Sequence, residues 1–233
     1  MKMKKLSKGR KLMLAMAITL IATLGVAGQH LSKFAQSQQE NAMELRHYSW
    51  KSRMEVRKDG ETKSIQLSLM RYGVDGTLQK TPISATPQAQ LPTRGLRGLI
   101  ARKKKEEFLE TLDELGALAK SYGELSPERM QRFVTNATVT PEISAQQSLI
   151  RIQGRDVLQP GDSMTVWVDA ATRKQRRVEI QTTLDRKAVR IVSEFQLLPN
   201  GLSYMARSVV DYQGQELTVI TENFDYLREQ KQS

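Results

Sequence analysis

The stretch SMTVWVDAATRKQRRVEIQTTLD, Ser163 to Asp185, changes character with every residue on both sides of a polar break. In the first arm Met164, Val166 and Val168 share one side, and Thr165, Trp167 and Asp169 share the other. In the second, Val178, Ile180, Thr182 and Leu184 stand opposite Arg177, Glu179, Gln181 and Thr183. Successive side chains of a strand point to opposite faces, so a period of two marks two strands. Joined by the polar turn Ala170 to Lys174, they make a hairpin with one apolar side.

The same alternation spreads outward in both directions. Tyr48, Trp50, Met54 and Val56 alternate with Lys51, Arg53, Glu55 and Arg57. Asp59-Gly60 follows, and both central positions of a type I′ turn need positive φ, which this pair accepts. Across that turn Ile65, Leu67 and Leu69 are expected to continue the apolar side, and Asp75-Gly76 turns the chain again toward TLQKTPIS. After Thr140 the segments SLIRIQG, KAVRIVSEFQLLPNG, GLSYMARSVVDY and QELTVITENFDYL read as strands, punctuated by Pro199-Asn200-Gly201 and Gln213-Gly214. The total is about eight or nine strands in two blocks. Between the blocks, Ala85 to Arg97 reads as a loop, and Phe108, Leu112, Leu115 and Ala119 recur at helical spacing with Leu109 beside them. Ser126 as N-cap and Pro127 at the first helical position open a second, short helix. The expected fold is mainly β with a helical insert at about 96–137: an antiparallel sheet curled into an unclosed barrel, helices covering its concave face. The run Phe108 to Tyr122, between a Pro-containing loop and Gly123, is expected to act as a lid.

Charge separates the N-terminus from the rest. The formal net charge is +11, but Lys2, Lys4, Lys5, Lys8, Arg10 and Lys11 carry six of those charges ahead of the apolar run Leu12 to Val26. A basic segment followed by a short apolar one is the pattern of an export signal. The expected organisation is a signal peptide over 1–28, a leader or short helix over 29–44, the β domain with its helical insert over 45–228, and a tail over 229–233. The alternative is an uncleaved helical anchor, although the run is shorter than the ~20 residues of a spanning helix. Periplasm or secretion is the expected location. The remaining excess of +5, without an aromatic-basic motif, gives no reason to expect nucleic acid.

Residue types narrow the chemistry. Cysteine is absent, which removes disulfides, thiolate metal sites and thiol nucleophiles. His30 and His47 are the two histidines, and neither has an acid at ligand spacing. Asp156, Asp162, Asp169 and Asp185 fall near turns, where Asp commonly bonds the local backbone. No catalytic group, metal site or cofactor is expected, so the protein reads as a non-enzyme and a monomer. Arg102, Lys103, Lys104 and Lys105 precede Glu106 and Glu107 near the start of the main helix. Positive charge is unfavourable there, which suggests a partner: an anionic lipid surface or an acidic envelope protein.

The hairpin MTVWVDAATRKQRRVEIQTTLD, with Trp167-Val168-Asp169, Thr172 and Arg176-Arg177, together with YSWKSRMEVRKDGETKSIQLSLMRYG, resembles the LolA/LolB-like periplasmic lipoprotein carriers. The likeness runs from about Glu40 to Leu227. It implies an apolar half-barrel that receives acyl chains or another hydrophobic ligand, with helices as cover. The lining residues are then expected to be Trp50, Met54, Leu67, Leu69, Met164, Val166, Val168, Ile180, Phe195 and Tyr204, with Phe108 and Leu112 above them. The alternative is a filled core, which would make the protein a non-catalytic interaction or structural module.

Overall fold

The computed structural model describes residues 36–85, 95–143 and 148–229. The signal-peptide reading of 1–28, most of the leader and the tail beyond 229 lie outside the described residues. Residues 36–45 are helical (α1) and lead into β1 (Tyr48–Lys58), β2 (Glu61–Tyr72) and β3 (Leu78–Ala85). The helices α2 (Gly95–Gly123) and α3 (Pro127–Asn136) follow. The chain then forms β4 (Thr138–Ile143), β5 (Ser148–Arg155), β6 (Ser163–Asp169), β7 (Gln175–Leu184), β8 (Lys187–Leu197), β9 (Ser203–Tyr212) and β10 (Leu217–Arg228). Among the described residues, no helix is long and apolar enough to cross a membrane.

Among the described residues, ten strands join one antiparallel sheet in the order β3-β2-β1-β10-β9-β8-β7-β6-β5-β4, which does not close on itself. Within this sheet the two blocks meet at β1 and β10, the first and last strands of the chain. Five of the nine strand pairings carry a register shift. Each extra residue bends its strand and adds twist, which curls a wide sheet toward a half-barrel. Both edge strands contain proline, Pro82 in β3 and Pro141 in β4, and an edge is where a strand tolerates a residue without an N–H.

Topology explains the position of the helices. The insert leaves the sheet at β3, one edge, and returns at β4, the other, so α2 and α3 must carry the chain from edge to edge. One face of the sheet receives them. Across it Val56, Val219, Val210, Ile191, Ile180, Met164 and Gly154 follow one another through register. Leu115 and Tyr122 of α2 and Phe133 and Val134 of α3 complete the core over these strands. Gly154 is glycine for contact reasons, because a Cβ there would stand 2.6 Å from the Phe133 ring. The α3 N-cap forms as its sequence predicts, with the Arg129 N–H donating to Ser126 Oγ at 3.3 Å.

Candidate functional site

The core fills only part of the concave face. On β1, Val56 belongs to the main cluster, whereas Tyr48 and Trp50 are buried outside it. Here β1 and β2 set Trp50 opposite Met70, Ser52 opposite Ser68 and Met54 opposite Gln66. The indole of Trp50 stacks on the Tyr226 ring at 5.3 Å with 6° between planes, and Tyr72 stands 5.8 Å away on the other side. Tyr204 continues the series, 4.5 Å from Tyr226. Tyr226 reaches this position because β10 carries one extra residue here, Asp225 and Tyr226 together facing Trp50, with Asp225 at φ 55 turning the backbone and pairing with Lys51 at 2.9 Å. Burial, then the neighbouring Tyr204 and Tyr72, push the Tyr226 hydroxyl pKa up, so it stays neutral.

Beside the aromatic series lies a polar group without a partner. Ser68 is 1% exposed, and its Oγ has no hydrogen-bond partner among the described residues. A buried hydroxyl left in this state costs about 1–3 kcal/mol. The end is braced by α1: Asn41 Nδ2 donates to Ser203 O at 2.6 Å, and the Ser203 N–H donates to Asn41 Oδ1 at 2.7 Å. Asn200 Nδ2 donates to the Tyr48 hydroxyl at 2.8 Å.

The structure distributes the expected lining residues among three places. Trp50 and Tyr204 meet in the aromatic series, with Met54 half-buried on the same face as Trp50. Met164, Val166, Val168 and Ile180 are in the filled core, and Phe108, Leu112 and Phe195 pack against it. Leu67 and Leu69 do not share that face: they stand opposite Arg53 and Lys51 on the outer side. The cause is Lys63, an extra residue between the pairs Arg57–Thr62 and Val56–Ser64, which reverses the alternation of β2. The same reversal brings Ser68, Met70 and Tyr72 inward, and sequence reading missed them for that reason. Tyr226 was missed because nothing in FDYL signals a bulge at Asp225.

The far end of α2 is fixed. The Tyr122 hydroxyl lies 2.5 Å from Asp162 Oδ2 and 2.9 Å from Thr182 Oγ1. Asp162 also accepts the backbone N–H groups of Val157, Leu158 and Gln159 at 2.6, 2.9 and 3.0 Å. Burial pushes the Asp162 carboxyl up, but the bonds from Tyr122, Gln159, Leu158 and Val157 outweigh it and hold the pKa below the usual range. Gly123, at the end of the run expected to act as a lid, therefore adjoins an anchor. Asp156 and Asp169 likewise accept local backbone N–H groups, from Gly161 at 2.7 Å and from Thr172 at 2.8 Å. Lys103, Lys104 and Lys105 are exposed, and Lys103 lies 3.9 Å from Glu107; because α2 begins at Gly95, the run sits about two turns inside the helix and not at its start, so the expected clash with the helix N-terminus does not arise.

No family model matches this chain, and no curated protein matches it. Solved structures similar to it include the following three. One is a DUF1329 family protein from Desulfovibrio piger ATCC 29098, at 9% identity and a TM-score of 0.43, covering 90% of this chain and 95% of that one. Another is a domain described as an outer membrane lipoprotein-sorting protein from Vibrio parahaemolyticus, at 10% identity and a TM-score of 0.43, covering 89% and 95%. The third is a LolA superfamily protein from Nitrosomonas europaea, at 11% identity and a TM-score of 0.38, covering 85% and 94%.

Proposed function

We propose that the protein is an exported envelope protein that holds a hydrophobic ligand, a lipid or acyl chain, at the aromatic end of its concave face, and that it works as a carrier and not as an enzyme. One observation carries this reading: a second apolar region, built from Trp50, Tyr72, Tyr204 and Tyr226, stands apart from the core and adjoins the unpartnered Ser68 hydroxyl. Aromatic rings supply apolar area, and the isolated hydroxyl suits the ester or amide oxygen at the head of an acyl chain. Met54 and Met70 beside them are flexible enough to follow chains of different length. The exposed Lys103, Lys104 and Lys105 would meet an anionic lipid surface during loading or release. The reading extends to location, periplasm or secretion after removal of residues 1–28, which mass spectrometry of the mature N-terminus tests: an intact Met1 in a membrane fraction would mean an anchor.

Native mass spectrometry and lipid extraction of protein purified from its own envelope test the ligand. The expected result is a bound species containing an acyl chain, retained less well by Trp50→Ala and Tyr226→Ala. Ligand-free protein that also fails to bind a fluorescent fatty acid would overturn the proposal. The chain would then be an interaction or structural module, the reading favoured by the filled core under α2 and α3.

A further inference from the structure

The outer face of the sheet carries a separate trough of about 500 Å³ on strands β5, β6 and β7. Its floor is made by short hydroxyl side chains of the middle strand, and its walls by longer polar ones: Thr165 lies between Gln153 and Glu179, and Ser163 between Arg155 and Gln181. The turn around Gly161 closes one end, and Trp167 stands at the other. Ser163 to Trp167 spans about 14 Å at the rise of an extended strand. The volume is that of a small-molecule site, but the lining is polar, so an acyl chain would not be its occupant.

Charge decides among polar ligands. Arg151 and Arg155 face the trough against Asp156, Asp162 and Glu179, and with the paired Glu142, Arg177 and Arg190 at its margin four arginines meet four acids, a formal balance. The charges are also largely committed. Asp156 and Asp162 accept backbone N–H groups, Arg151 pairs with Glu142 at 3.2 Å, and Glu179 is held by Arg177 at 3.1 Å and Arg190 at 3.0 Å. A phosphate or polyanion would meet no net attraction there. What remains available is the Arg155 guanidinium at one end and four neutral groups along the floor and walls: the amides of Gln153 and Gln181 and the hydroxyls of Ser163 and Thr165, each able to donate and accept. Trp167 adds an apolar plate, fixed by its Nε1–H donating to Glu142 Oε2 at 3.1 Å and by Arg177 stacked 5.4 Å from its centroid. Mixed donors and acceptors beside an indole plate match the hydroxyl edges and C–H faces of sugar rings.

We propose that this trough binds a neutral oligosaccharide, a glycan strand lying along β6 with one ring against Trp167. The site is independent of the concave face, so it stands or falls without the lipid reading. Calorimetry and NMR on the purified full chain test it, with chitotetraose, cellotetraose and a neutral glycolipid in micelles as probes. The two tryptophans give two indole N–H signals, assigned with Trp167→Phe. A free oligosaccharide should release heat and shift the Trp167 signal while leaving Trp50 in place. The exposed substitutions Gln153→Ala and Gln181→Ala should weaken binding at least fivefold, and Thr165→Phe, which fills the floor, should abolish it. Chitotetraose binding alone points to an N-acetylated wall strand, and cellotetraose binding to a plain glucan, and either supports the site. No heat with any free oligosaccharide, binding of glycolipid micelles alone, stronger binding of inorganic phosphate, or affinity unchanged in both glutamine variants would overturn it.

Discussion

Glu55 lies on the outer face of β1 with 5% of its surface exposed, wrapped by Arg57 at 2.6 Å, Thr62 at 2.8 Å and Arg53 at 2.8 Å. Those hydrogen bonds, from Arg57 first, then Thr62 and Arg53, lower its carboxyl pKa from 4.5 to about 2. A carboxylate depressed in the folded state binds its proton less readily than the unfolded chain does. Its stabilisation is therefore complete above about pH 4.5 and disappears as pH falls through about 2. Urea midpoints measured across that window should fall for the native chain and fall less for Glu55→Gln, which starts lower at neutral pH. Parallel curves for the two proteins would show that Glu55 does not couple to folding. The arginines on either side also explain why this position reads as ordinary surface alternation: period two records which way a side chain points, and the ion network that buries it comes from register with Thr62 and Glu222.

Among elements, α2 is held on the sheet by Leu115, 2% exposed, and by the Tyr122 clamp on Asp162 and Thr182. Tyr122→Phe removes the hydroxyl while Asp162 keeps its three backbone donors, so the expected loss is about 1–2 kcal/mol, at the lower end for a bond to a charged group. The denaturant midpoint should fall with an unchanged slope; a change in slope would mean that the end of α2 had come off the sheet. The helix and the β6–β7 hairpin were legible because their periodicities run unbroken through Phe108 to Tyr122 and Val178 to Leu184. The β1–β2 hairpin was legible as an element but not in its faces, since the extra Lys63 sits within the alternation without any glycine to announce it. Strand β4 was not separated from its surroundings, because Pro141 argues against a central strand and its role as an edge appears only with the full sheet order. Of the aromatic end, Trp50 and Tyr204 were readable, whereas Tyr72 and Tyr226 depended on two bulges.

At the scale of the whole molecule, the sheet divides at the β1–β10 seam. Lys51 and Asp225, paired across it, are 174 residues apart in sequence, and Arg53 and Glu222 are 169 apart. On one side lies β3-β2-β1, and on the other the run from β10 to β4, which carries every strand residue of the filled core except Val56 of β1. Deleting β10 should abolish the single cooperative transition expected of one domain, leaving β1–β3 without a neighbour while part of the core persists. Calorimetry, with far-ultraviolet dichroism to follow residual strand content, measures this. One sharp transition in the shortened chain would mean that the seam does not unite the two sides.

That seam also has a temporal side. Contacts between distant segments form slowly, because the entropy of closing a long loop is lost before the pairing returns anything. The strand nearest the start of the chain here finds its second neighbour only when the last strand has been made. A ribosome delivers residues in order, so the sheet stays in two unfinished parts until Leu217 to Arg228 emerges. Moving the seam to a hairpin, by circular permutation that links β10 directly to β1, should quicken folding, which stopped-flow refolding measures.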